Sequence, residues 1–151
     1  MDEPTGSPAM KLKHMRLPIA LAVGASLLAA GQVQAALLFS EYVEGSSYNK
    51  AVEIFNNGSS AENLSSYSVR LYNNGNTAAS YTINLSGSLA AGEVYVIAHS
   101  SADAAVQAVA DLTTGSLNFN GDDAVVLYNG AGVVDAIGQI GVDPGSEWGS
   151  G

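Results

Sequence analysis

No cysteine occurs anywhere in the 151 residues. That excludes thiol nucleophiles, thiolate zinc sites and thiol redox chemistry. It also excludes a lipid-anchored lipoprotein, which needs a cysteine just after its apolar leader. An oxidising compartment permits disulfides without requiring them. The fold must therefore be held by packing and sheet hydrogen bonds, or by a bound metal. Positive charge is nearly as scarce. Beyond residue 35 the only cations are Lys50 and Arg70, set against twelve Asp and Glu, a net charge of −10. Such a surface repels phosphate backbones, whose affinity for proteins comes mainly from Lys and Arg displacing counterions. It speaks equally against anionic membranes. It suits a soluble exported protein and divalent cations. There is no coiled-coil heptad and no internal repeat.

What is present falls into two parts. From Met10 the chain reads KLKHMRLPIALAVGASLLAAGQVQA. Lys11, Lys13 and Arg16 form a positive n-region, Leu17 to Ala30 is apolar, and Val33-Gln34-Ala35 offers the small-x-small pattern of a signal-peptidase site. This predicts a secretory leader cut after Ala35 and a secreted protein, extracellular or periplasmic. A transmembrane anchor is the alternative, but the run is short and interrupted by Pro18 and Gly24. Residues 1–9 sit awkwardly before the n-region, so either Met1 or Met10 is the true start. The domain division is thus 1–35, extension and leader, and 36–151, the mature domain, long enough for one small sandwich.

The mature part alternates short Val/Ile/Leu/Tyr/Phe runs with Gly, Ser, Asn, Thr and Ala, the rhythm of an all-β sandwich. Strands are expected at Leu37–Glu44, Ala51–Asn56, Ser66–Tyr72, around Tyr81, Ile83 and Leu85, and at Glu93–His99, Ala124–Tyr128 and Val133–Ile137. In Ser66–Tyr72 the alternation places Tyr67, Val69 and Leu71 on one face. Glu93–His99 is apolar on nearly both faces and is expected to be a central strand. Asn73-Asn74-Gly75-Asn76 is a turn whose residues accept positive φ. Near 101–110 the rhythm breaks. Ser100 with Asp103 resembles a capping box, and a short helical turn bridging two sheets is expected. Beyond Gly138 the Gly- and Ser-rich text gives no closing element. The reading there is a domain interrupted rather than finished, truncated at its C-terminus or cut from a longer chain.

Four polar features could carry chemistry. Asn120-Gly121-Asp122-Asp123 offers oxygens on a turn between strands, which suits calcium and its six to eight oxygen ligands. Asn120, Asp122 and Asp123 are the metal candidates. The competing reading is an Asx-rich turn whose carboxylates accept backbone N–H groups. Gly-Asp-Asp also occurs in polymerase active sites, but alone it is a weak match. Glu41, Glu44 and Glu53 could act as paired acid and base in a cleft, or lie on a solvated face and pair with Lys50 or Arg70. His99, the sole histidine beyond the leader, could belong to a triad or a metal site. A strand-end or helix-capping role is the plainer reading. Trp148 could stack on a sugar or base, or plug the bottom of a sandwich. No nucleophile–base pair is visible, so no catalytic residue and no bound organic cofactor is assigned.

Three segments carry a family likeness. They are Leu38 to Ser47 (LFSEYVEGSS), Asn49 to Asn56 (NKAVEIFN) and Asn118 to Leu127 (NFNGDDAVVL), joined by the closing stretch from Asp135 to Gly149. In this order the chain resembles the lamin tail domain, in the bacterial form found near the N-terminus of secreted extracellular nucleases. The resemblance implies an immunoglobulin-like β-sandwich with no catalysis of its own. It also implies a parent whose downstream domain is a nuclease of the endonuclease/exonuclease/phosphatase type. None of that catalytic domain's residues has a position here. In animals the same fold is attached to lamins and serves interactions, but the coiled-coil rod is absent. Three readings of function follow. The first is an accessory binding or targeting module of a nuclease. The second is a stand-alone exported binding or adhesion module, with calcium as a candidate cofactor and a protein or extracellular polymer as partner. The third is a small enzyme built on the acidic clusters. The charge speaks against direct nucleic-acid binding by this domain.

Overall fold

Short apolar runs separated by turn residues can bury only one face each, so they stack as two sheets around a shared core. A computed structural model describes residues 36–149. The leader and cleavage site expected from the sequence lie outside the described residues. The strands are β1 (Leu37–Glu44), β2 (Lys50–Asn56), β3 (Glu62–Asn63), β4 (Tyr67–Tyr72), β5 (Tyr81–Asn84), β6 (Ser88–Leu89), β7 (Val94–His99), β8 (Leu112–Thr114), β9 (Ala124–Asn129) and β10 (Gly132–Ile137), with a single helical turn α1 (Ala104–Gln107). One four-stranded sheet runs β1-β2-β7-β8 and the other β10-β9-β4-β5, with β3 and β6 forming a small pair. This is the expected all-β, immunoglobulin-like sandwich. Among the described residues no helix is long and apolar enough to cross a membrane.

The alternation in β4 works as the pattern predicts. Tyr67, Val69 and Leu71 enter the main core with Val52 and Ile54 of β2, Ile97 of β7 and Val125 and Leu127 of β9. Each such side chain contributes about 1.5–3 kcal/mol by leaving water. The strand buried on both faces is β9 rather than β7. Val125 and Leu127 face the main core, while Ala124, Val126 and Tyr128 join Tyr72 in a second cluster on the other side, covered by Ile140. β7 is interior to its sheet, but its first residue Val94 remains 41% exposed. Tyr81 is also 38% exposed, because β5 lies at an uncovered sheet edge.

Two further expectations are corrected. The helical turn does not bridge the sheets. Residues 100–111 connect β7 to β8, which pair in parallel within one sheet, and a parallel pair requires a crossover of about this length. Nor is there a capping box. Asp103 holds the N-cap position without a side-chain cap bond. Its carboxylate accepts from Asn49 Nδ2 at 2.9 Å, and its own amide donates to Asn49 Oδ1 at 2.8 Å. A cross-chain partner has displaced the local one.

The sandwich is closed along one side where β1 meets β10. Both strands carry a bulge there, between Phe39 and Glu41 and between Val133 and Asp135. The Phe39 amide donates to Asp135 Oδ2 at 2.7 Å across the gap. Bulges bend and twist an edge, which aims Asp135 at the opposite sheet. The β9–β10 hairpin turns on Gly130 and Ala131, with Gly132 paired to Asn129.

Candidate functional site

The polar groups that the fold brings together lie at one end of the sandwich, where the chain enters β9. Leu117 and Phe119 are buried and anchor this corner in the main core. Phe119 stacks on Tyr42 of β1 at 4.8 Å between ring centroids. The Tyr42 hydroxyl donates to the Asn120 carbonyl at 3.2 Å. Lys50, itself buried, donates to Glu44 Oε1 at 2.9 Å and to the Gly45 carbonyl at 3.2 Å. The end of β1 and the Asn120–Asp123 turn are thus held side by side.

Within the turn the two aspartates part ways. Asp123 is 2% exposed. Its Oδ2 accepts from the Asn120 amide at 2.9 Å and its Oδ1 from the Asn74 amide at 2.8 Å. Burial pushes its carboxyl above the usual 3.8, the two amide donors pull the other way, and the charges of Asp122 and Asp143 add to the rise. Asp122 Oδ1 is buried and meets no hydrogen-bond donor among the described residues. Burial, followed by the charges of Glu44, Asp123, Asp122 and Glu147, raises the Tyr42 phenol far above its ordinary 10.0.

A Gly-rich segment returns over this end from Gly138. Trp148 donates through Nε1 to the Asp123 carbonyl at 3.0 Å and through its amide to the Gly121 carbonyl at 2.9 Å. Its indole lies against Gly138, where a Cβ would stand 2.5 Å from Nε1 and the φ of +79° also favours glycine. Gly121 is crowded in the same way. A Cβ there would meet Glu44 Oε2 and Glu147 Cγ, each at 2.5 Å. Between these parts lies an open cleft of about 310 Å³, lined by Glu44, Asn120, Gly121, Asp122, Ser146 and Glu147. Nothing in the composition pointed to Tyr42, Ser146 or Glu147 as members of this site. The clue for Glu147 was its place beside the tryptophan.

The candidate residues from the sequence are distributed as follows. Asn120, Asp122 and Asp123 do not converge as a ligand set, because both oxygens of Asp123 are turned inward onto amides. Among the described residues no group of three or more His, Cys, Asp or Glu side chains stands close enough to hold a metal. The Asx-turn reading describes Asp123. Glu41 and Glu53 are paired across β1 and β2, and Glu53 Oε1 accepts from Ser40 Oγ at 2.7 Å. Glu44 is the member of that trio that reaches the cleft, and it pairs with Lys50 as expected. Arg70 instead lies 3.9 Å over the Tyr128 ring. His99 ends β7, buried, with Nδ1 accepting from the Ser101 amide at 2.9 Å and its ring stacked on Tyr48. That is the strand-end role. Trp148 is half-buried and bonds the Asp123 and Gly121 carbonyls at this end.

Over residues 30–141 the chain matches the family described as the Lamin Tail Domain, a span that takes in every strand of both sheets. The chain belongs to the lamin tail domain family. This membership supports a non-catalytic immunoglobulin-like domain. The matched span also contains β1 and residues 118–127, and it ends at residue 141, inside the return segment and short of Trp148. No curated protein matches the chain.

Proposed function

We propose that this chain is the non-catalytic N-terminal accessory module, for binding or targeting, of a secreted bacterial nuclease of the endonuclease/exonuclease/phosphatase type. It is exported through the leader that ends at Ala35. The observation that carries the reading is the lamin tail domain match across both sheets, taken with the likeness of its β1, β2 and 118–127 segments to the form borne by extracellular nucleases. The scarcity of cations beyond residue 35, with Lys50 buried against Glu44, leaves nucleic-acid chemistry to the rest of the parent. The test has three parts. The secreted protein should begin at Ala36 by mass. The purified chain should release no soluble nucleotide from DNA or RNA in the presence of magnesium. The gene, read in frame beyond codon 151, should encode the nuclease domain. A stop codon directly after Gly151 would remove the parent, and hydrolysis by the chain alone would remove the non-catalytic assignment.

A second reading is a stand-alone exported binding or adhesion module that takes calcium. It is favoured by the buried, unpartnered Asp122 Oδ1 at the cleft. Under it, millimolar calcium raises the melting temperature of the chain and Asp122→Asn abolishes the increment. An unchanged melting temperature discards the metal.

A further inference from the structure

We propose that residues 138–149 form a strap latched by Trp148, that its docking builds one wall of the acidic cleft, and that it releases while the sandwich stays folded. Two of the six cleft-lining residues, Ser146 and Glu147, belong to this segment. Glu44 and Asn120 to Asp122 come from the sandwich itself. The cleft therefore exists in this form only while the strap is down.

The strap touches the sandwich at several points, Val142 and Asp143 against Gly75 among them. Ile140 packs on the outer cluster of Tyr72, Ala124, Val126 and Tyr128. The Gly141 amide donates to the Asn76 carbonyl at 3.3 Å, a long bond. Trp148 supplies the two short bonds to Asp123 and Gly121 and the contact with Gly138. The other residues between Gly138 and Gly149 are exposed or half-buried. Segments with few buried apolar contacts open at a lower free energy than the sheets they rest on. Apolar packing by Ile140 and the Trp148 hydrogen bonds thus hold down a segment whose residues otherwise lie toward solvent.

Trp148 is the only tryptophan of the chain, so its fluorescence, excited where tyrosine does not absorb, reports the latch alone. In the 151-residue protein the indole should emit to the blue of a free indole and be shielded from acrylamide. On titration with guanidinium, the red shift of this emission should come at a lower denaturant concentration than the loss of far-UV circular dichroism. Coincident transitions would overturn the proposal, because the segment would then unfold only with the sandwich. Gly138→Ala places a methyl where the indole lies. It should shift the emission red and raise acrylamide quenching to that of an exposed indole, with the β circular dichroism retained. A folded Gly138→Ala protein with its tryptophan still shielded would also overturn it. If that variant does not fold, the two-probe titration of the unaltered chain decides.

Discussion

Asp123 shows how a residue that looks like a ligand becomes a structural part. A carboxylate with both oxygens on backbone amides joins the Asn73–Asn76 turn to the start of β9. Asp123→Asn keeps the shape but offers one acceptor in place of two, leaving a buried amide unpaired. The expected cost is about 1–3 kcal/mol in chemical denaturation. The pH dependence has a definite sign. Folding raises this carboxyl above 3.8, so the folded state holds the proton more tightly than the unfolded chain does. The stability it contributes is complete below the unfolded value and is lost as pH rises through the folded one. Unfolding curves of the parent and of Asp123→Asn at several pH values should therefore diverge in the parent's favour as pH falls toward that value. Leu127, fully buried in β9, marks the other extreme. Leu127→Ala should cost about 2–5 kcal/mol, whereas Tyr81→Ala, which alternation alone ranks as a core change, should stay within about 0.5 kcal/mol.

Among the elements, β1 and β10 carry the most specific arrangement. Edge strands expose unpaired amides that invite association. Here two bulged edges face one another, and Asp135 bonds the Phe39 amide between them. Asp135→Ala removes a charged acceptor from a half-buried donor. A loss of about 1–3 kcal/mol is expected, together with concentration-dependent association in sedimentation as the edge loosens. The return segment after β10 is the other element with a role beyond packing. Its latch joins the chain's only tryptophan to the turn that holds Asp122 and Asp123.

For the whole molecule, charge is the dominant property. Beyond residue 35 twelve acids outnumber two cations, and the excess negative charges repel one another over distances of roughly a Debye length, about 8–10 Å at physiological salt. Melting temperature should rise as sodium chloride is raised from a few millimolar to physiological strength, the opposite of what surface ion pairs would give. The same charge should leave the chain unretained on immobilised DNA at low salt. Retention would contradict the view that nucleic-acid contact belongs elsewhere in the proposed parent.

Patterning alone determined that this chain makes two facing sheets. A period-2 run such as Tyr67–Val69–Leu71 has one way to hide its apolar face, and Asn-Gly turns fix where runs end. It also limited the chemistry through the missing cysteine and the missing positive charge. Tertiary structure decided the rest, because those outcomes depend on partners far away in sequence. Whether β7 or β9 is buried on both faces depends on what covers the sheets, and Ile140 does so for β9. Whether Asp123 is a ligand or a brace depends on an amide 49 positions away. Whether the glycine-rich end is loose text or a latched strap depends on Trp148 finding Gly138 and the Asp123 carbonyl. Local periodicity encodes which face is apolar. Only the assembled sandwich determines which surfaces meet.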